Sequence, residues 1–107
     1  MPSFMLQASY TPEAWATLIK KPQNRLAVIR SAVEKLGGSV EGSWLALGEY
    51  DVVLIYKMPN AVSAAALSIA AAAGGALKSS KTTALLTFEE GLEAMKQADK
   101  AGYRPPE

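Results

Sequence analysis

Tyr50 and Asp51 are adjacent residues with the chemistry of a site, and they close the stretch Gly48-Glu49-Tyr50-Asp51. A phenol and an acid at the mouth of a strand can orient a ligand, and the carboxylate can act as a general base. The plainer reading is that Asp51 bonds turn donors while Tyr50 packs across the hairpin, which is the commoner behaviour of Asp in turns. Tyr10, Trp44 and Tyr56 can line a cavity between sheet and helices, or inside a dimer, although aromatics on strands are more often core. Lys81, set among Ser79, Ser80, Thr82 and Thr83, can anchor an anionic ligand or blunt a sheet edge. Lys20, Lys21 and Arg25 form a small basic cluster that reads as a solvated face.

Other chemistries are excluded by what the chain lacks. It has no cysteine and no histidine, so disulfides, thiolate nucleophiles, a His base and Cys or His metal ligation are unavailable. Asp51, Glu41 and Glu49 are too few and too scattered to argue for a metal. Gly37-Gly38 and Gly74-Gly75 follow helical stretches, the wrong polarity for a phosphate loop. No cofactor is expected. With 11 basic and 10 acidic residues, the chain has no global field to attract nucleic acid or an anionic membrane. The longest apolar stretch, Ala64 to Ala76, falls short of the roughly 20 residues that span a bilayer. Met1-Pro2-Ser3-Phe4 carries no basic or hydrophobic signal region. A cytoplasmic protein is the expectation.

The elements that would position these residues follow from pattern. Phe4, Leu6, Ala8 and Tyr10 share one parity and predict a strand over 3–10. Thr11-Pro12-Glu13 opens a helix, with Trp15, Leu18 and Ile19 on one face, and Pro22 ends it. Leu26, Ile29, Val33 and Leu36 mark a second helical segment, closed by Gly37-Gly38. A strand over 39–47 contains Gly42, which signals a bulge or a close backbone approach. Gly48 at the first turn position predicts a II′ hairpin. The continuous apolar run Val52 to Tyr56 requires cover on both faces of its strand. Asn60 caps an alanine-rich helix over 61–73 that is small enough to approach a sheet closely. A fourth strand over 76–88 follows, then a last helix opened by the Thr87–Glu90 capping box and ended by Gly102.

The order strand, helix, strand, strand, helix, strand, helix predicts an α+β, ferredoxin-like βαββαβ antiparallel sheet. Strands one and three are expected to run parallel at its centre, with the helices on one face. One domain is expected from the length. With 50% of residues hydrophobic, the uncovered sheet face would be a large exposed apolar patch, which soluble monomers avoid. A second copy laid face to face removes it, so a homodimer or higher even oligomer is expected.

These features, taken in order, resemble the GYD domain family. Gly48-Glu49-Tyr50-Asp51 is similar to its glycine-x-tyrosine-aspartate signature. The helix opening at Thr11, the Leu36-Gly37-Gly38 helix end, the alanine-rich helix, and Lys81-Thr82-Thr83 before Phe88 accompany it. The resemblance covers about residues 3–90, with 91–107 a C-terminal helix and tail of the same domain. It implies a dimeric α+β barrel and little chemistry.

Three functions follow from this reading. The favoured one is a small-molecule binding or sensing module holding an apolar ligand in the barrel or dimer seam, with Tyr50 and Asp51 as polar contacts. The second is a cofactor-free monooxygenase- or isomerase-like enzyme with Asp51 as base, by fold analogy alone. The third is a structural or assembly protein.

Overall fold

Pro12 and Pro22 divide the first third of the chain as their chemistry requires, one opening a helix and the other falling outside it. The computed structural model describes all residues, Met1–Glu107. The elements are β1 (Ser3–Tyr10), α1 (Pro12–Lys20), α2 (Leu26–Lys35), β2 (Ser39–Leu45), β3 (Val52–Lys57), α3 (Ala61–Ala73), β4 (Leu77–Leu85) and α4 (Phe88–Lys100). Side chains satisfy the free amides at three helix starts. Ala14 donates to Thr11 Oγ1 at 3.0 Å, and Ser63 donates to Asn60 Oδ1 at 2.9 Å. Thr87 and Glu90 form the reciprocal capping box that opens α4.

The sheet has the order β2-β3-β1-β4, and every neighbouring pair is antiparallel. This corrects the expectation that β1 and β3 run parallel. Each helical crossover joins two parallel strands, β1 to β2 and β3 to β4, and the two units interleave, so adjacent strands alternate in direction.

Register decides which side chains meet. Phe4 lies opposite Tyr56, Leu6 opposite Leu54, and Ala8 opposite Val52. Phe4, Leu6, Leu54 and Tyr56 form the core with Val33, Met58, Ala64 and Leu67, all beneath the helices. Phe4 and Tyr56 stack with ring centroids 5.8 Å apart. Burying such side chains contributes about 1.5–3 kcal/mol each. The odd-numbered residues of β1 and β3, Met5, Gln7, Val53 and Ile55, therefore point to the opposite face, which no helix covers. They are half-buried within the single chain. The register thus places Leu54 and Tyr56 on the helix side of β3 and Val53 and Ile55 on the other.

Several boundaries differ from expectation. β2 stops at Leu45 rather than residue 47, and Ala46–Asp51 form a six-residue connection. Left-handed backbone occurs at Gly37, Gly75 and Gly102 and not at Gly48, so the II′ turn is absent. The connection is closed across its base by the Ala46 amide donating to the Asp51 carbonyl, and it also bonds to β1. The bulge expected at Gly42 is present, as a register shift between Val40 and Gly42. Helix α1 turns Ala14, Trp15 and Leu18 inward and leaves Ile19 exposed. β4 ends at Leu85, and Phe88 is the first residue of α4 rather than the end of a strand.

Helix α4 stands away from the body. It makes at most marginal contact with the other elements. The radius of gyration is 17.1 Å, against about 13 Å for a compact chain of this length. Phe88, Leu92 and Met95 lie along one side of α4 and all three are exposed.

Candidate functional site

Ser9 and Asp51 fix the shape of the 46–51 connection. Ser9 Oγ donates to the Glu49 carbonyl at 3.1 Å, and the Asp51 amide donates to the Ala8 carbonyl at 2.9 Å. One carboxylate oxygen, Asp51 Oδ2, accepts from the Tyr10 amide at 2.9 Å and from Trp15 Nε1 at 3.3 Å. The Ala46 amide also donates to the Asp51 carbonyl, so the connection continues the β2–β3 ribbon while these bonds tie it to the end of β1. Ser9 lies on the face that the helices leave bare and is buried beneath it.

Bending the connection over this face creates a recess of about 390 Å³. Its floor is one row of cross-strand neighbours: Val53 on β3, Gln7 on β1 and Lys81 on β4. Its wall is Ala46, Gly48, Glu49 and Tyr50. Trp44 continues the row beyond Val53. Its indole lies over Gly42, where a Cβ would come within 2.6 Å of the ring. The missing side chain lets the indole lie close to the sheet. A larger depression of about 660 Å³ runs along α2, but residues 24–35 alone line it. One segment cannot make polar groups converge as a ligand site requires.

The six residues singled out from the sequence divide into three places. Tyr50 and Lys81 come together in the recess, with Trp44 beside it. Tyr10 and Asp51 sit at the end of β1 as parts of the tether, outside the recess lining. The Tyr10 ring packs edge-on against Trp15 at 5.1 Å. Burial pushes the Tyr10 phenol up, with Arg25 opposing and Asp51 adding to the shift. Tyr56 is wholly buried in the core beneath the helices. Its hydroxyl has no hydrogen-bond partner, and the nearby Thr82 Oγ1 pairs with Ser68 Oγ at 2.6 Å. Burial pushes the Tyr56 phenol up, and Thr82 opposes that shift.

The sequence reading missed Gln7, Glu49 and Val53 as lining residues. A signal for Gln7 was present: it has the parity opposite to Phe4, Leu6 and Ala8, and so belongs to the bare face. Glu49 had no such signal, since the path of the connection depends on contacts with residues some 40 positions away. No group of His, Cys, Asp and Glu side chains is arranged to hold a metal ion. No helix is long and apolar enough to cross a membrane.

Comparison with known structures agrees with this topology. MtbAldR superposes with a TM-score of 0.58 at 10% identity, over 80% of this chain and 52% of that one. The chain thus spans about half the length of MtbAldR. TTHA0845 from Thermus thermophilus superposes with a TM-score of 0.53 at 11% identity, over 81% of this chain and 95% of that one. FFRP-DM1 gives 0.50 at 11% identity, over 80% of this chain and all of that one. At such identities the likeness shows the fold alone, a ferredoxin-like α+β sheet. No curated protein matches the sequence. The GYD domain matches residues 4–95, from β1 into α4 and including the tethered connection. The chain belongs to the GYD domain family.

Proposed function

We propose that this GYD domain is a small-molecule binding module that works as a two-fold dimer, with the bare sheet faces turned toward each other. The observation that carries the reading is the recess under the 46–51 connection. It combines an apolar floor and neighbour, Val53 and Trp44, with a few converging polar groups, Gln7, Lys81, Glu49 and Tyr50. Its volume of about 390 Å³ falls within the roughly 300–1,000 Å³ of small-ligand pockets. The recess is open on one side, and a second copy would close it. Trp44 is 59% exposed, and Val53, Ile55 and Met5 lack cover on that side, as expected of a face that meets a partner. The apolar stripe of α4 supports contact between copies as well.

A cofactor-free enzyme using Asp51 as base draws no comparable support, because the residue lies outside the recess lining and its Oδ2 is engaged in the tether by the Tyr10 amide and the Trp15 indole.

Two measurements test the proposal. Light scattering after size exclusion at micromolar concentration is expected to give twice the chain mass, and a value near 11.3 kDa would remove the dimer. A thermal-shift screen against aromatic and quinone-like metabolites is expected to give hits that Trp44→Ala weakens. A flat response would remove the binding role.

A further inference from the structure

The bare face is chemically lopsided. Its β2 and β3 side carries Trp44, Val53 and Ile55. Its β4 edge carries Ser79, Lys81 and Thr83, paired across β1 with Ser9, Gln7 and Met5. Along this row the order is Trp44, just outside the recess, then Val53, Gln7 and Lys81, running from apolar to cationic across the sheet. Gln7 and Lys81 are direct cross-strand partners, so an amide and an ammonium present N–H donors side by side. The one acid in the lining, Glu49, belongs to the wall and not to the floor. Closing the face with a second copy would take the Lys81 ammonium out of water, and an unpaired buried charge is strongly disfavoured. The row therefore calls for an anion at β4 attached to a flat apolar body that lies toward β2. Lys81 and Val53 are two strands apart, about 10 Å at ~4.8 Å per strand, which sets the distance from anionic head to the far end of the body.

We infer that the recess binds a small aromatic carboxylate, with its carboxylate on Lys81 Nζ and the Gln7 amide and its ring system over Val53 against Trp44. This rests on the reading of the recess as a binding site and adds the ligand class to it. Glu49 acts against such a ligand through like charge at the wall.

The test is calorimetric titration of the full native chain with 2-naphthoate and with its neutral counterpart 2-naphthamide. Naphthoate should bind at least tenfold more tightly than naphthamide. Lys81→Met should bring the two within twofold of each other, and Lys81→Arg should restore the preference. Lys57→Met, on the same face but at the far end of β3, should leave the preference intact. Glu49→Gln should strengthen naphthoate binding about threefold. Each variant is accepted only if its mass and far-UV circular dichroism match wild type. Equal binding of both compounds, unaffected by Lys81→Met, overturns the anion assignment while leaving the recess as a binding site. Loss of preference in Lys57→Met to the same degree overturns it too, by reducing the effect to general charge. Binding of neither compound overturns both this inference and the reading beneath it.

Discussion

Replacing Asp51 by alanine separates a tether from a catalytic group. In the structure Asp51 Oδ2 holds the Tyr10 amide at 2.9 Å and the Trp15 indole N–H at 3.3 Å, both partly buried. A hydrogen bond to a charged acceptor contributes about 1.5–3 kcal/mol, and the long indole contact sits at the weak end of that scale. Partial exposure lets water replace some of what is lost. The expected destabilisation is therefore about 2–3 kcal/mol for Asp51→Ala, and about 1 kcal/mol for Asp51→Asn, which keeps an acceptor oxygen. The assay is urea unfolding followed by circular dichroism at fixed protein concentration, since self-association would shift the midpoint. With a urea slope of roughly 1–1.5 kcal/mol/M, the alanine variant should lose about 2 M in midpoint. Trp15→Phe should lose less, and the double variant should show a coupling of about 0.5–1 kcal/mol, as expected for side chains in direct contact. If Asp51→Ala unfolds within about 0.5 kcal/mol of wild type, the carboxylate does not hold the connection, and its place in the family signature needs a chemical explanation instead.

Three further outcomes follow from particular contacts. A Cβ on Gly38 would collide with the Lys57 carbonyl and come within 2.6 Å of Met58 Sδ, whereas one on Gly42 meets only the Trp44 ring. Gly38→Ala should thus cost about 2–3 kcal/mol because backbone must move, while Gly42→Ala should shift tryptophan emission and leave the urea midpoint nearly unchanged. Tyr56→Phe removes a buried hydroxyl that has no partner, so thermal unfolding should show a variant as stable as wild type or about 1 kcal/mol more stable. The raised Tyr56 phenol gives the sign of the alkaline response: its contribution is full below the ordinary value of 10.0 and is lost as pH climbs above that through the folded value. Wild type should therefore weaken in that window, and Tyr56→Phe should lack that component. Met95→Asp, on the exposed stripe of α4, should lower the mass found by light scattering if that stripe joins copies, with circular dichroism unchanged.

Local chemistry made most of the elements legible. Thr11-Pro12, Asn60 and Thr87 with Glu90 each place a helix start to the residue, because a cap is a contact between near neighbours in the chain. The alternation Phe4, Leu6, Ala8 identifies the buried face of β1 for the same reason. Strand direction is different: whether β1 and β3 run parallel depends on how two crossovers interleave, and neither strand carries that information. The connection at 46–51 shows the same limit more sharply. Gly48 next to Glu49 has the composition of a two-residue turn, yet the loop is longer, closed between Ala46 and Asp51 and pinned by bonds to Ala8, Ser9, Tyr10 and Trp15, partners remote in sequence. Phe88 misled through its hydrophobicity. A phenylalanine following Leu85 and Leu86 resembles the continuation of a strand, but the capping box one residue earlier is the stronger signal. In the site, Tyr50 and Lys81 were legible as residue types, while Gln7 and Glu49 required the register and the bend of the connection.

The tether also has a kinetic meaning. Its two side-chain contacts join residues 41 and 36 positions apart, so closing them demands a large loop, and such closures carry an entropic penalty that local contacts do not. The Phe4–Tyr56 stack spans a longer loop still but is buried in the core, whereas the tether is only partly buried, so the recess wall is among the first parts of the molecule to open. Amide exchange at Tyr10, whose hydrogen is held by that carboxylate, offers a clock for this opening, one that runs independently of the unfolding of the whole chain.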